Sequence, residues 1–343
     1  MVNALGDTGH SRFLTPSEGR QEQSSLRGSF IGIGAEVGLR NGQPIIVQPL
    51  EGSPAQQAGL QAGDAILRVN GEDVSRLTLS ELMPKLGGNP GTSVSLTVLH
   101  RGEDMPVDVT VTRQRVTVHP VSWYVLPDSH VADIKLTSFD NGATRDLQSA
   151  LKTIQDQHVG GIVLDLRDNP GGILDQAVQV TSEFLDQGTV VISRDKSGKE
   201  TRYDVKAGGS ATNVPLTVLV NNGTASAAEI VAGALAENHR ATVVGQTTFG
   251  TGTVLSTYRL KDGSAILLGT AEWLTPDGQL IKSKGIQPDV SVRLSAQSDV
   301  LTPAREQQLS PAQIDSSSDN QLLAAVQYLQ DHPDVHTAPK PNG

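Results

Sequence analysis

Between Val131 and Val244 the chain alternates short apolar runs with helically spaced ones, and this alternation limits the fold more than any other feature. Val131 to Leu136 reads as a strand, and Thr144 to His158 carries Leu147, Leu151 and Ile154 at helical spacing. Gly161 to Arg167 is a second buried strand, followed by a helix from Ile173 to Leu185. Leu216 to Val220 is a third strand, Val231 to Ala236 a buried small-residue helix, and Thr242 to Val244 a fourth strand. Such alternation builds a layered α/β core rather than a helix bundle. Val190 to Ser193 and Thr201 to Val205 add a hairpin across Ser197-Gly198, and Leu255 to Leu260 and Ala265 to Gly269 add two strands.

The chain has 343 residues, a length for two domains plus tails. Residues 1–28 open it, with a polar linker from Glu18 to Ser25. Residues 29–113 read as a separate β-rich module. Within it Ser53 caps a short helix with Pro54 at its first position, Asn70-Gly71 is a hairpin turn, and Leu79 to Leu86 is a helix. Ser93 to Leu99 and Val107 to Thr112 alternate as strands. Residues 114–293 hold the α/β core. Residues 294–343 form a polar tail with one helix, Asp319 to Leu329, and a Pro-rich end that reads as disordered.

The net charge of −10 without a basic run argues against nucleic acid or an anionic membrane as partner. No stretch has the length and apolarity to span a bilayer. There is no cysteine, so disulfides and thiolate metal sites are excluded. The His residues are scattered, only His332 and His336 lie four apart, and no metal site is expected. Met1 to Leu5 lacks the regions of a secretory leader, so the chain reads as cytosolic or as beginning after a removed leader.

The chemistry concentrates on Asn221 to Ile230. Ser226 sits between a buried strand and a helix, where free N–H groups and the helix dipole favour negative charge. A serine there can attack a carbonyl and have the oxyanion held by backbone donors. Ser226-x-x-Glu229 is equally a capping box, in which the hydroxyl only satisfies the helix start. Gly171-Gly172 after a buried strand can present N–H groups to an anion or simply make a tight turn. His10, between Gly9 and Ser11, reads as a loop residue.

Residues 29–113 resemble a PDZ domain. Phe30-Ile31-Gly32-Ile33-Gly34 looks like its carboxylate-binding loop, and Ser53 to Gly71 like its short helix and following strand. The resemblance implies capture of a peptide C-terminus as an added strand. With Leu5 to Pro16, Asp165 to Gly172, Asn222 to Ala234, Thr275-Pro276-x-Gly278 and Gly285-Ile286-x-Pro288-Asp289 in order, the chain resembles the carboxyl-terminal processing (tail-specific) protease family. That family implies a layered core related to the ClpP and crotonase folds, with the PDZ domain inserted into it. It implies Ser226 as nucleophile and the N–H groups of Gly172 and Ala227 as oxyanion hole. It implies no cofactor, a substrate with a loose apolar C-terminus, and an extracytoplasmic place in bacteria, the periplasm or cell envelope. Oligomeric state stays open.

Two positions depart from the family pattern. Its general base is a lysine in a Phe-Gly-Lys-Gly context, which here is Phe249-Gly250-Thr251-Gly252. A supporting glutamine is replaced by Leu255. The related tricorn core proteases use a histidine in a segment resembling Gly6 to Ser11, which points to His10 as substitute base. Two readings follow: a serine endopeptidase using Ser226 and His10, or a protease-derived scaffold that binds C-terminal tails without cutting.

Overall fold

A computed structural model describes residues 11–40, 42–50, 52–295 and 298–333. Residues 28–118 form one compact unit, and the chain on either side of them forms the other.

The N-terminal piece begins with Arg12–Leu14 (β1) and Pro16–Leu26 (α1). The expected linker from Glu18 to Ser25 is therefore helical. Its start is fixed by a cap rather than by an apolar face. Thr15 N–H donates to Glu18 Oε2 at 2.7 Å, Glu18 N–H donates to Thr15 Oγ1 at 3.3 Å, and Pro16 takes the first helical position.

The inserted unit runs Ser29–Gly32 (β2), Ala35–Arg40 (β3), Gln43–Pro49 (β4), Pro54–Gln57 (α2), Ala65–Val69 (β5), Glu72–Asp73 (β6), Leu79–Leu86 (α3), Ser93–Leu99 (β7), Val107–Thr112 (β8) and Gln114–Thr117 (β9). Its main sheet has the order β3-β4-β5-β7-β8, with β6 on β5. Ile46, Ile66, Leu82, Val94 and Leu96 are fully buried in its core. Asn70 (φ 51°) and Gly71 (φ 81°) supply the two positive φ values of a type I′ turn. Arg113 holds the end of α3, donating to the carbonyls of Leu86 at 2.8 Å and Lys85 at 2.9 Å. The unit runs past residue 113 because β9 pairs antiparallel with β2.

The core continues with Val121–Leu126 (β10), Val131–Leu136 (β11), Ala143–Gln155 (α4), Gly161–Asp165 (β12), Leu174–Ser182 (α5), Thr189–Asp195 (β13), Glu200–Asp204 (β14), Leu216–Val220 (β15), Ala227–Glu237 (α6), Thr242–Gly245 (β16), Thr253–Arg259 (β17), Ala265–Leu274 (β18) and Val290–Ser291 (β19). Three helices follow: Pro303–Glu306 (α7), Pro311–Asp315 (α8) and Asn320–Asp331 (α9). The central sheet has the order β10-β11-β12-β15-β16-β19 and is parallel except for β10. In a second sheet, β18 pairs with β1, β13 and β17.

Period-two alternation gives the central sheet two buried faces. Ile134, Leu136, Ile162, Leu164, Val218 and Val220 pack against α4, α5 and α6. Val131, Val163, Leu219 and Val244 pack instead against Leu301, Ile314, Leu322, Ala325 and Leu329. The expected polar tail is thus the third layer of the core, with three helices in place of one. Each large aliphatic side chain buried there contributes about 1.5–3 kcal/mol, enough to hold a segment whose composition looks like a tail. Among the described residues no helix is long and apolar enough to cross a membrane.

Candidate active site

The fold brings Asp165–Gly172, Asn221–Glu229 and Thr248–Gly252 together at the C-terminal ends of β12, β15 and β16. Ser226 ends the turn between β15 and α6 with φ 54° and ψ −119°. Five other Ser/Thr helix caps among the described residues, Thr15, Ser53, Thr78, Thr302 and Ser310, all have φ between −61° and −129° with ψ between 156° and 163°. An ordinary cap therefore takes the extended conformation in this protein, and Ser226 does not. A positive φ on a residue with a Cβ costs of order 1–3 kcal/mol and persists only where its surroundings over-determine it.

Those surroundings are specific. Glu229, fully buried, accepts the Ser226 N–H on Oε2 at 2.9 Å. The same oxygen accepts Thr251 N–H at 2.9 Å, while Oε1 accepts Gly250 N–H at 2.7 Å and the Thr248 hydroxyl at 2.5 Å. Thr248 Oγ1 in turn accepts Ile286 N–H at 2.7 Å. Glu229 N–H donates to the Ser226 carbonyl at 2.9 Å. The capping-box glutamate thus ties the serine turn to the loop that carries Thr251. The S-x-x-E spacing showed that a glutamate was there, but nothing local showed its distant partners.

The Gly171-Gly172 turn lies directly against Ser226. A Cβ on Gly171 (φ +97°) would stand 2.7 Å from Ser226 Cβ and 2.8 Å from Ala227 N. A Cβ on Gly172 (φ +146°) would stand 2.4 Å from the Phe139 carbonyl oxygen. Only glycine fits at either place. Phe139 accepts Ile173 N–H at 2.8 Å and donates its own N–H to the Gly171 carbonyl at 2.9 Å. The Gly172 N–H lies between these bonds. Among the described residues neither it nor the Ala227 N–H, at the first position of α6, has a protein acceptor.

Side chains that sequence reasoning missed fix this turn. Asn169 Oδ1 accepts Gly171 N–H at 2.8 Å, and its backbone carbonyl accepts Ala225 N–H at 2.9 Å. Asn221 Oδ1 accepts Asp168 N–H at 2.9 Å, and its Nδ2 donates to Asp168 Oδ1 at 2.9 Å. Below them lies fully buried Arg167. It donates to both oxygens of Asp165, at 3.0 and 2.8 Å, and to both of Asp319, at 2.8 and 3.0 Å. Burial works against the Asp165 charge, but Lys135 and Arg167 outweigh it and hold the carboxyl below its usual range. Burial likewise opposes the Arg167 charge, which Asp165 and Asp319 reinforce.

Of the residues expected from sequence, Ser226, Gly172, Ala227 and Thr251 lie together. Leu255 lies on β17 opposite Gly269 and is 40% exposed. His10 lies outside the described residues. In the inserted unit Phe30, Ile31 and Gly32 are in strand β2, and Ile33-Gly34 is the turn between β2 and β3. Among the described residues no cluster of His, Asp and Glu could hold a metal ion.

The chain matches Peptidase family S41 over residues 130–292 and a PDZ domain over residues 45–99. The carboxyl-terminal-processing protease of Synechocystis sp. is 35% identical, over 98% of this chain and 79% of that protein. The chain belongs to peptidase family S41, among the carboxyl-terminal-processing proteases. The family member of Bartonella bacilliformis is 38% identical over 82% of this chain. The chain spans 66% of that relative's length. The solved photosystem II D1 C-terminal processing protease, at 32% identity, matches with a TM-score of 0.54, over 84% of this chain and 79% of that one. The S41 match begins at residue 130, so it covers the turn before Ser226, the serine and the loop tied to Glu229.

Proposed function

We propose that the chain is a serine endopeptidase of the tail-specific type, with Ser226 as nucleophile. The observation that carries this reading is the conformation of Ser226: a helix start held at φ 54° and ψ −119° by a buried glutamate, where the five other Ser/Thr caps among the described residues are relaxed. Ser226 Oγ attacks the scissile carbonyl as the base takes its proton, and the C–N bond then breaks with that proton passing to the leaving amine, which gives an acyl-enzyme. The N–H groups of Gly172 and Ala227 hold the tetrahedral oxyanion, aided by the positive end of α6. Water then releases the product, and no cofactor takes part.

His10 is our candidate for the base. An imidazole has a reference pKa of about 6.5, suited to proton transfer near neutral pH. Ser11 Oγ accepts Gly269 N–H at 2.9 Å, and Gly269 pairs with Leu255 on the strand that follows Thr251. The PDZ unit would present proteins by a free apolar C-terminus, its carboxylate held at the Ile33-Gly34 turn. The site of action would be extracytoplasmic.

Thr251 and Leu255 favour a second reading, a tail-binding protein that does not cut, because neither supplies the family's lysine or glutamine. Incubation with an unfolded reporter carrying an apolar C-terminus decides between them. We expect fragments from the native chain and none from Ser226→Ala or His10→Ala. Binding of the reporter without fragments, and no fluorophosphonate label on Ser226, would establish the second reading.

A further inference from the structure

Asp133 on β11 and Glu306 on α7 are both fully buried, and among the described residues none of their four carboxyl oxygens accepts a bond from an N–H or O–H donor outside the pair. Both cations of this interior are already engaged. Arg167 is held between Asp165 and Asp319, and Lys135 donates to the Arg167 carbonyl at 2.8 Å and lies 3.2 Å from Asp165 Oδ2. The groups around the pair are thus Lys135 from β11, Asp165 from β12, Arg167 after it, Asp319 at the cap of α9, and Tyr124, opposite Asp133 on β10. Four acids against two bases leave the cluster with an excess of negative charge, which each bound proton reduces. Two facing carboxyls without other donors satisfy each other only when one is an acid that donates to the other.

We infer that Asp133 and Glu306 share one proton, and that this proton clamps the C-terminal helices to the sheet and so positions the Asp168–Gly172 turn. The route to the turn is continuous. Asp319 caps α9 through Leu322 N–H at 3.0 Å and accepts Leu301 N–H at 2.9 Å while gripping Arg167. Lys135 holds the Arg167 carbonyl, one residue before Asp168. The pair are positioning residues, and the effect on the turn rests on the catalytic reading of Ser226 and Gly172. The clamp itself does not.

Burial, with Asp165 and Asp319 nearby, raises Glu306 to about 7, while burial and Glu306 push Asp133 well above its usual range. A carboxyl whose folded pKa exceeds its unfolded value binds more protons folded than unfolded, so folding weakens as pH rises between the two. Folding stability tied to the pair is therefore greatest in acid and falls as pH rises from the ordinary carboxyl values, first as Glu306 ionises at about 7 and further as Asp133 gives up the shared proton.

Hydrogen exchange of the full chain tests this, with intrinsic rates corrected. Between about pH 6 and about pH 8.5 we expect protection of α7 and α9 to fall about tenfold relative to α4. In Glu306→Gln the amide donates to Asp133 without a titrating proton, and the pH dependence should vanish. Asp133→Asn should behave alike and serves if the first variant folds poorly. An infrared band of a protonated carboxyl in the native chain at neutral pH, missing from both variants, is the second readout. Constant protection in the native chain, or unchanged pH dependence in both variants, overturns the clamp. Cleavage by the native chain should fall at alkaline pH, and Glu306→Gln should lose that fall. If exchange behaves as stated and no chain cleaves at any pH, the clamp stands and the catalytic reading falls.

Discussion

The backbone amides of Ser226 and Thr251 meet on one atom, Oε2 of Glu229, each at 2.9 Å. The serine turn and the Gly250-Thr251 loop are thus registered to each other through a buried carboxylate, whatever side chain stands at 251.

Glu229→Gln should destabilise the chain by about 2–4 kcal/mol, because an amide offers one acceptor oxygen to four donors and turns its own N–H groups on the rest. Thr248→Ala, which removes one donor and one acceptor, should cost about 1–2 kcal/mol. Denaturant unfolding measures both, and a ranking in the opposite order would remove Glu229 from its organising role.

Ser226→Gly should raise stability by about 1 kcal/mol and abolish cleavage, since glycine takes a positive φ without strain. Ser226→Ala should leave stability nearly unchanged and lower cleavage at least about a thousandfold. Thermal unfolding of the two variants side by side gives the answer. Equal melting temperatures would show that the serine is not strained.

Gly171→Ala should abolish cleavage while the inserted unit still folds, because the new methyl would stand 2.7 Å from Ser226 Cβ. Peptide binding to the PDZ unit reports that its fold survives. An Ala variant that cleaves normally would mean the turn is not packed on the serine.

Asp319→Ala should cost about 3–5 kcal/mol, because it leaves Arg167 without one of its two carboxylates and also removes the cap of α9. Asp165 cannot make up the loss, since it already uses both oxygens on Arg167. Urea unfolding followed by intrinsic fluorescence gives the number, and a change under about 1 kcal/mol would contradict the buried network.

In the inserted unit His100 Nδ1 lies 2.8 Å from buried Asp64, whose hydrogen bond raises the imidazole pKa. The stabilisation is fully present below the unfolded value of about 6.5 and is lost as pH rises through the folded one. NMR titration should find His100 above that reference in the native chain and returned towards it in Asp64→Asn. A native titration at the reference value would refute the pairing.

The alternation from Val131 to Val244 made the layered core legible, because the strands are short, mostly apolar runs that are buried throughout and α4 has a clear apolar face. Short-range signals also read true: Asn70-Gly71 is the turn, and Ser53 is the cap. Pro16–Leu26 and Pro303–Asp315 escaped notice for a common reason. The first is polar and begins on a side-chain cap, and the second is made of single turns that bury one or two residues each. In the site, Ser226 and Gly171-Gly172 were visible as motifs. The partners of Glu229 were not, because Thr248, Gly250 and Thr251 reach it only through tertiary folding. Arg167 could be read as the end of a strand, but its bond to Asp319 spans 152 residues and leaves no local trace.

The helices after residue 300 cover Val131, Val163, Leu219 and Val244. Any shortened version ending before them would expose an oily wall of parallel strands and would go into inclusion bodies rather than into solution. A protease that trimmed this chain from its own C-terminus would not be removing a tag. It would be taking the back off the central sheet.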